Sequence, residues 1–437
     1  MNPKKATVLF HDALQRAVEI SLRWRREIPV EITLVRDLRG RIRPVLGGPR
    51  GQLDKAVLDG YCRALSDALG RYGFPPQRAL LFEEELAEPE AILGERRCLP
   101  AVEEEDAGLY LLDRQVIGQD WMRDSLTRST VNPRVTFYGI KGGVGRSTAL
   151  VNWAWHLAEQ GKRVLVFDLD LESPGVSSTL LPTGHLPDFG AVDWFVEDGV
   201  GQAEAVESEL VGISPLAQEL LGEVMVVPAY GRLTGSYLPK LARCYAEFSG
   251  SQPVSWAERL NRLVELLEQR HAPDIVILDS RAGLHDIAAV LVTRMGADTL
   301  LFGVDSAQTW AGYRMLFEHW NGHPNVAAFR YRLQMVASLV PETGRDEHLR
   351  RFREHVWDVF RDQLYDQAEP DDLEAFSFDL HDEAAPHAPW PIFWHRALQE
   401  FNPAEGGIDA RTAQESLGRF MELADQLVLS ATGEERS

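Results

Sequence analysis

The stretch Lys141-Gly142-Gly143-Val144-Gly145-Arg146-Ser147-Thr148 stands between an apolar, β-forming run (135–138, VTFY) and a helix-like run (149–154, ALVNWA). A glycine-rich turn between a strand and a helix can hold a phosphate chain. The glycines let backbone N–H groups approach the phosphates, and the helix N-terminus adds positive potential. Two residues depart from the usual P-loop pattern: Lys141 precedes the glycines, and Arg146 stands where a P-loop normally has lysine.

Two further apolar runs end in aspartate. One reads RVLVFDLD (163–170) and the other reads DIVILDSRAG (274–283). In a parallel α/β sheet, ligands bind at the carboxyl ends of the strands, where these aspartates would lie. A magnesium–nucleotide complex needs a hydroxyl near the phosphates, which Ser147 can supply. It also needs carboxylates, which Asp279 and either Asp168 or Asp170 can supply. The three motifs together predict a nucleotide site rather than purely structural glycines.

Apolar runs alternate with helical stretches from about residue 130 onward. Near-continuous apolar strands separated by helices indicate an α/β fold, with a doubly wound, mostly parallel sheet flanked by helices. The predicted strands are 135–138, 164–169, 224–228, 275–278, 299–304, 333–339 and 376–380.

The preceding part of the chain has a different pattern, which predicts a small α+β N-terminal domain. Its predicted elements are a helix over 9–26, a hairpin over 30–36 and 41–46, and a second helix over 53–71. We therefore divide the chain into a mixed N-terminal region (1–105), which is a candidate for binding a partner, a linker (106–132) and an α/β nucleotide-binding domain (133–437). The acidic run Glu103–Asp106 favours placing the linker there.

Composition excludes several classes of function. The formal net charge of −21 argues against a protein that coats nucleic acid. The arginine-rich hairpin at 36–43 is interpreted as a solvated surface, so nucleic acid is possible but not favoured as a partner. Three widely spaced cysteines argue against a zinc or iron–sulfur site. The sequence has no signal-like start and no apolar run near the ~20 residues that span a bilayer, which predicts a cytoplasmic protein. The C-terminal stretch 411–429 has an acidic polar face, so we expect it to pack on the α/β domain rather than bind membrane.

With its three motifs, KGGVGRST, FDLDLESPG and ILDSRAGLHD, the chain resembles the ParA/MinD superfamily of deviant Walker A P-loop ATPases (SIMIBI class). Within it, the chain looks like a bacterial KGGVGR[ST] subgroup that has arginine in place of the P-loop lysine. The resemblance implies an ATP-sandwich homodimer with ATP and Mg²⁺ as cofactors. By this resemblance, Lys141 reaches the partner's nucleotide, and Arg146 contacts the β- and γ-phosphates. The nucleotide-binding loop also contains Gly142, Gly143, Val144, Gly145 and Thr148, and Gly283 lies in switch II. Ser147 binds Mg²⁺, Asp279 is the Walker B residue at the metal, and Asp170 contributes to the metal site and positions the attacking water.

These expectations describe a cytoplasmic ATPase that acts as an ATP-dependent dimerisation switch and signals to an unidentified protein partner. Hydrolysis is expected to be slow, because the planar guanidinium of Arg146 replaces a compact ammonium. Two alternatives stay open: a bacterial P-loop tyrosine kinase-like enzyme, and a nucleotide-binding scaffold with little hydrolysis. By the same resemblance, Ser338 is a candidate for reading adenine. The sequence does not specify the biological process. Partitioning, protein positioning, signalling and phage defence all stay open.

Overall fold

The computed structural model describes residues 7–94, 96–99, 108–115, 118–129, 132–182, 184–246, 254–323, 325–367, 375–399 and 410–432. The chain divides into two compact units, Met1–Gln119 and Asp120–Ser437. The division falls inside the segment 106–132 that the sequence suggested as a linker. Part of that segment, Leu109–Asp113, is a strand of the N-terminal unit.

The N-terminal unit contains helices and strands, as predicted. They are α1 (Phe10–Arg23), β1 (Ile32–Arg36), β2 (Ile42–Leu46), α2 (Lys55–Leu69), β3 (Leu81–Phe82), α3 (Pro89–Leu93), β4 (Arg97–Cys98) and β5 (Leu109–Asp113). The sheet order is β3-β2-β1-β5-β4. Strand β1 pairs antiparallel with β2, which confirms the hairpin, and parallel with β5. Alternate residues of β1 and β2 point to one face, where Ile32, Leu34, Ile42 and Leu46 are buried in a core shared with α1 and α2.

The second unit is built on an eight-stranded sheet. Its elements are β6 (Arg134–Gly139), α4 (Arg146–Glu159), β7 (Arg163–Asp168), α5 (Val176–Leu180), α6 (Ala191–Asp198), β8 (Gly212–Ile213), β9 (Glu223–Val227), α7 (Tyr237–Cys244), α8 (Trp256–His271), β10 (Ile275–Asp279), α9 (Asp286–Ala289), β11 (Asp298–Gly303), α10 (Ala307–Asn321), β12 (Leu333–Val340), α11 (Arg345–Gln363), β13 (Trp390–Phe393), α12 (Arg396–Gln399) and α13 (Ala410–Thr432). The strand order is β13-β12-β11-β6-β10-β7-β9-β8, and every neighbouring pair is parallel except β8 with β9. The doubly wound, mostly parallel sheet is therefore confirmed.

Helices cover both faces of this sheet, which is why its central strands are buried and mostly apolar. Every residue of β6 and of β10 is buried. Residues of α4 and α13 pack on one face, and residues of α6 and α8 pack on the other. Because β10 lies between β6 and β7, the carboxyl ends of these three parallel strands are side by side. The glycine loop and both aspartate motifs follow those ends.

One predicted strand, 376–380, is wrong. Phe376 and Phe378 are not in a strand but pack against Tyr365 in edge-on and tilted contacts, with ring centroids 5.5 and 5.4 Å from it. The edge of the sheet is instead β13, which contains Pro391 and pairs with β12. Proline lacks the N–H that an inner strand must donate, but an edge strand tolerates it.

The C-terminal helix α13 packs against the second unit, as predicted. Its buried residues, Leu417, Phe420, Met421, Ala424 and Val428, belong to the core that also contains residues of α4. Within the described ranges, no helix combines the length and apolar character that crossing a membrane requires.

Candidate nucleotide-binding site

The loop between β6 and α4 has the backbone form that its glycines allow. Gly143 has φ +72°, and Gly145, the N-cap of α4, has φ +77°, both in the left-handed region that favours glycine. Lys141, Gly142 and Gly143 are exposed. A Cβ added at Gly142 or Gly143 would meet no atom within 4 Å. The loop therefore presents backbone to open space at the N-terminus of a 14-residue helix, an arrangement that favours an anion.

The side chain of Arg146 points into the protein toward two aspartates. Its Nε donates to Oδ1 of Asp279 at 3.0 Å, and its Nη2 donates to Oδ2 of Asp170 at 3.4 Å. The side chain of Arg146 is 9% exposed and that of Asp279 is 1% exposed. The structure thus joins all three predicted motifs through one guanidinium.

The carboxylates around Arg146 carry unusual electrostatics. Burial raises the pKa of Asp279 to about 7, against the opposing effect of Arg146, and nearby Asp168 and Asp170 contribute to the rise. Burial also raises the pKa of Asp168 to about 6, although hydrogen bonds from Ser177 oppose the shift. For Asp170 burial likewise raises the pKa, while the charges of Arg146 and Arg281 lower it. Two carboxylates on one guanidinium, with the buried carboxyl of Asp168 nearby, form a site in which additional positive charge is favourable.

These residues also fit a nucleotide-bound magnesium ion. Oδ1 of Asp168 and Oδ1 of Asp170 are buried without a hydrogen-bond partner. Within the described part of the chain, no group of three or more His, Cys, Asp or Glu side chains is placed to hold a metal alone. Mg²⁺ is commonly held by one or two carboxylates together with substrate phosphates and water, so this arrangement suits it. Ser147 follows Arg146 in the first turn of α4 and is partly exposed, as is Thr148.

The loop after β10 is fastened to the end of β6. The backbone N–H of Ser280 donates to the carbonyl of Phe137 at 3.1 Å, and that of Gly283 donates to the carbonyl of Gly139 at 3.0 Å. The hydroxyl of buried Tyr138 donates to the carbonyl of Gly283 at 3.3 Å. Gly283 has φ +88°, which favours glycine at this position. The predicted switch residue therefore lies beside the strand that leads into the glycine loop.

Other predicted residues are placed less centrally. Val144 is 4% exposed and packs in the hydrophobic core, so only its backbone faces the loop. Ser338, the candidate for reading adenine, is buried in β12, and its hydroxyl has no hydrogen-bond partner. Glu172, which was not among the predicted site residues, forms an ion pair with Arg281 at 2.7 Å. Its position two residues after Asp170, in the same motif, is the signal that could have found it.

Comparison with known proteins agrees with this geometry. Residues 135–315 match the family model described as the CobQ/CobB/MinD/ParA nucleotide binding domain. No curated protein matches the sequence. Among solved structures, the chain is similar to a ParA family ATPase from Chlorobium tepidum TLS, with 14% identity and a TM-score of 0.43 over 69% of this chain and 99% of that chain. It is also similar to a complex of McdA with ATP from Cyanothece (15% identity, TM-score 0.43, 70% of this chain and 98% of that chain) and to the cell division ATPase MinD from Pyrococcus furiosus (16% identity, TM-score 0.41, 68% and 99%).

These structural similarities are too distant to indicate an activity. The family model, however, spans the glycine loop at 141–148, the Asp168–Asp170 motif and Asp279. It thus contains each residue that the structure brings together around Arg146. Residues 135–315 are therefore a ParA/MinD-like nucleotide-binding domain of the CobQ/CobB/MinD/ParA family, with the fold of a P-loop ATPase.

Proposed function

We propose that the protein binds ATP with Mg²⁺ at the glycine loop, hydrolyses it slowly, and uses ATP-dependent dimerisation to signal to a protein partner. The observation that carries this proposal is the position of Arg146. Its guanidinium joins Asp279 and Asp170 at the N-terminus of α4, where phosphates would be held. Magnesium–ATP would supply a partner for each of these groups. Its phosphates would pair with the guanidinium of Arg146, and its metal ion would pair with the carboxylates.

Each residue of the site has a role in this proposal. The backbone of Gly142, Gly143 and Gly145 holds the phosphates, with Thr148 at the same helix N-terminus. Ser147 and Asp279 hold the metal, and Asp170 contributes to the metal site and orients the attacking water. Lys141 is exposed on the loop, where its ammonium is accessible to the nucleotide of a second copy.

Slow hydrolysis follows from the contacts of Arg146. To bind phosphate, the guanidinium must exchange two charge-assisted hydrogen bonds with carboxylates for bonds with the ligand. Because Arg146 must leave these carboxylates before it can stabilise charge on the reacting phosphate, the exchange supports slow hydrolysis. The same observation favours the second candidate function, a nucleotide-binding scaffold with little hydrolysis.

The N-terminal unit offers a surface for the partner. Phe10 and Leu38 are 51% and 64% exposed. A Cβ added at Gly40 would lie 2.9 Å from the ring of Phe10, so this ring packs beside the hairpin turn. The guanidinium of Arg36 lies 4.5 Å from the centre of the Phe10 ring. Exposed apolar side chains bordered by arginine are typical of protein interaction sites.

Sedimentation and phosphate release test the proposed function together. We would compare the wild type, Asp170→Ala and a control, Asp362→Ala, in which an exposed aspartate on α11 is removed. With ATP and Mg²⁺, Asp170→Ala should accumulate as a dimer, while the wild type and the control release phosphate. ATP binding without phosphate release in the wild type would favour the scaffold. If ATP promoted association in none of the three proteins, Asp170→Ala included, the dimerisation switch would be contradicted.

A further inference from the structure

Glu172 is the meeting point of three separate segments beside the nucleotide site. Its carboxylate forms an ion pair with Nη1 of Arg281 at 2.7 Å and accepts a hydrogen bond from the hydroxyl of Tyr245 at 2.9 Å. Nε2 of His285 lies 3.7 Å from it. The side chains of Glu172 and Arg281 are 25% and 35% exposed, so this pair is partly shielded from water.

These contacts join the two loops that carry the proposed catalytic carboxylates. Glu172 lies two residues after Asp170, in the loop that follows β7, and Arg281 lies two residues after Asp279, in the loop that follows β10. Because these loops follow neighbouring parallel strands, a link between their side chains fixes the separation of the loops. The Glu172–Arg281 pair therefore adds a side-chain link to the backbone hydrogen bond from Leu169 to Asp279 that also joins these loops.

The same carboxylate connects the site to α7. Tyr245 directly follows the last residue of this helix and is its C-cap. Its ring also lies 6.4 Å from the ring of His285, in the loop after β10. Near its other end, α7 presents Leu238, which is 73% exposed. A change in the loop after β10 thus has a direct route, through Glu172 and Tyr245, to a helix with an exposed apolar residue.

We propose that Glu172 and Arg281 are positioning residues, which hold the Asp170 loop against the Asp279 loop and couple the bound nucleotide to α7. This inference rests on the proposed ATP site and goes beyond it, because it assigns the route by which the state of the site reaches the protein surface. Arg281 is the connecting residue in this proposal. Its charge acts on Asp170 while its guanidinium is paired with Glu172, and a phosphate chain held at the glycine loop would offer this guanidinium a second anionic partner.

The test compares Glu172→Gln with the wild type and with Glu209→Gln, which removes the same charge from an exposed position outside this network. Three quantities are measured: the Kd for ATP with Mg²⁺, the kcat for phosphate release, and hydrogen exchange in the α7 peptide (237–244) with and without ATP and Mg²⁺. Glu172→Gln should lower kcat about tenfold, because catalytic groups lose their alignment, while the Kd changes less than about threefold. The response of α7 to ATP should disappear in Glu172→Gln and persist in Glu209→Gln.

A double-mutant cycle with Arg281→Gln tests the pair itself. If the two residues act as one unit, Glu172→Gln/Arg281→Gln will resemble either single variant in kcat, and independent effects that multiply would overturn the proposal. An unchanged response of α7 to ATP in Glu172→Gln would also overturn it. Wild-type protein that does not bind ATP would refute the proposed nucleotide site itself, an outcome that is distinguishable because it appears before any substitution is made.

Discussion

Replacement of Arg146 by alanine is the perturbation that tests the phosphate-binding role most sharply. The guanidinium would make charge-assisted hydrogen bonds to phosphate, each worth about 1.5–3 kcal/mol. In the free protein, however, it makes two bonds of the same kind to Asp279 and Asp170. Only the difference in free energy between the bonds to phosphate and the bonds to the two carboxylates contributes to the affinity for ATP. If that difference amounts to one such bond, Arg146→Ala loses about 1.5–3 kcal/mol, which weakens ATP binding about 10- to 150-fold.

Isothermal titration calorimetry with ATP and Mg²⁺ measures this loss directly. The matched control is Arg163→Ala, which removes an arginine from the opposite end of β7, where it pairs with Glu223. Arg146→Lys should retain most of the affinity, because an ammonium at this position also contacts phosphate in ordinary P-loops. A Kd for Arg146→Ala within twofold of the wild type would contradict a net contribution of this guanidinium to ATP binding.

Removing Arg146 should affect folding less than is usual for a broken buried ion pair. Such a loss commonly costs about 3–5 kcal/mol, because a buried charge is left without a partner. Here burial raises the pKa of Asp279 to about 7, so this carboxyl can take up a proton near neutral pH instead of remaining charged. Urea unfolding at pH 7 should therefore show a loss below about 3 kcal/mol. A larger loss would mean that the carboxylates stay ionised without their partner.

Three further predictions concern the loop, the sheet and the C-terminal helix. Gly145→Ala should weaken ATP binding and destabilise the fold by about 1–2 kcal/mol, because φ at this position is +77°; calorimetry and urea unfolding measure both effects. Arg134→Ala should lower the free energy of unfolding by about 3–5 kcal/mol, because the buried carboxylate of Glu268 would lose both of its hydrogen bonds from this guanidinium, and a loss below about 1 kcal/mol would contradict this. The pKa of His156 is raised mainly by its hydrogen bond to Asp425, so this contact stabilises the fold fully below pH 6.5 and its contribution is lost as pH rises through the raised pKa. Asp425→Asn should therefore reduce the difference in urea stability between pH 6 and pH 8, and an unchanged difference would exclude this contact as its source.

The elements that position the site could be predicted because their signals are local. A glycine loop between an apolar strand and a helix is one continuous stretch, and the aspartates follow β7 and β10 directly. The pairing of Arg146 with Asp279 and Asp170 could not be predicted, because it depends on which strands are neighbours in the sheet. The same is true of Glu172 and Arg281, which are adjacent only because their loops follow neighbouring strands.

Errors occurred where tertiary packing overrides local pattern. The alternation of Phe376 and Phe378 is typical of a strand, but both rings pack on Tyr365. Pro391 weakens the strand signal of β13, although an edge position makes proline acceptable. Strand β5 was assigned to a linker because it follows an acidic run, yet it gains its hydrogen bonds from β1, far away in the sequence.

The central claim is that the glycine loop and its buried carboxylates form a site for ATP with Mg²⁺. Calorimetric titration of ATP into the wild type, first with Mg²⁺ and then with the metal chelated, tests it most directly, with Asp279→Asn as the paired variant. We predict one ATP per chain, and binding at least about tenfold tighter with Mg²⁺ in the wild type, because Asp279 would help to hold the ion together with the phosphates. In Asp279→Asn this preference for Mg²⁺ should largely disappear. Absence of ATP binding to the wild type, or an equal effect of Mg²⁺ on both proteins, would contradict the claim.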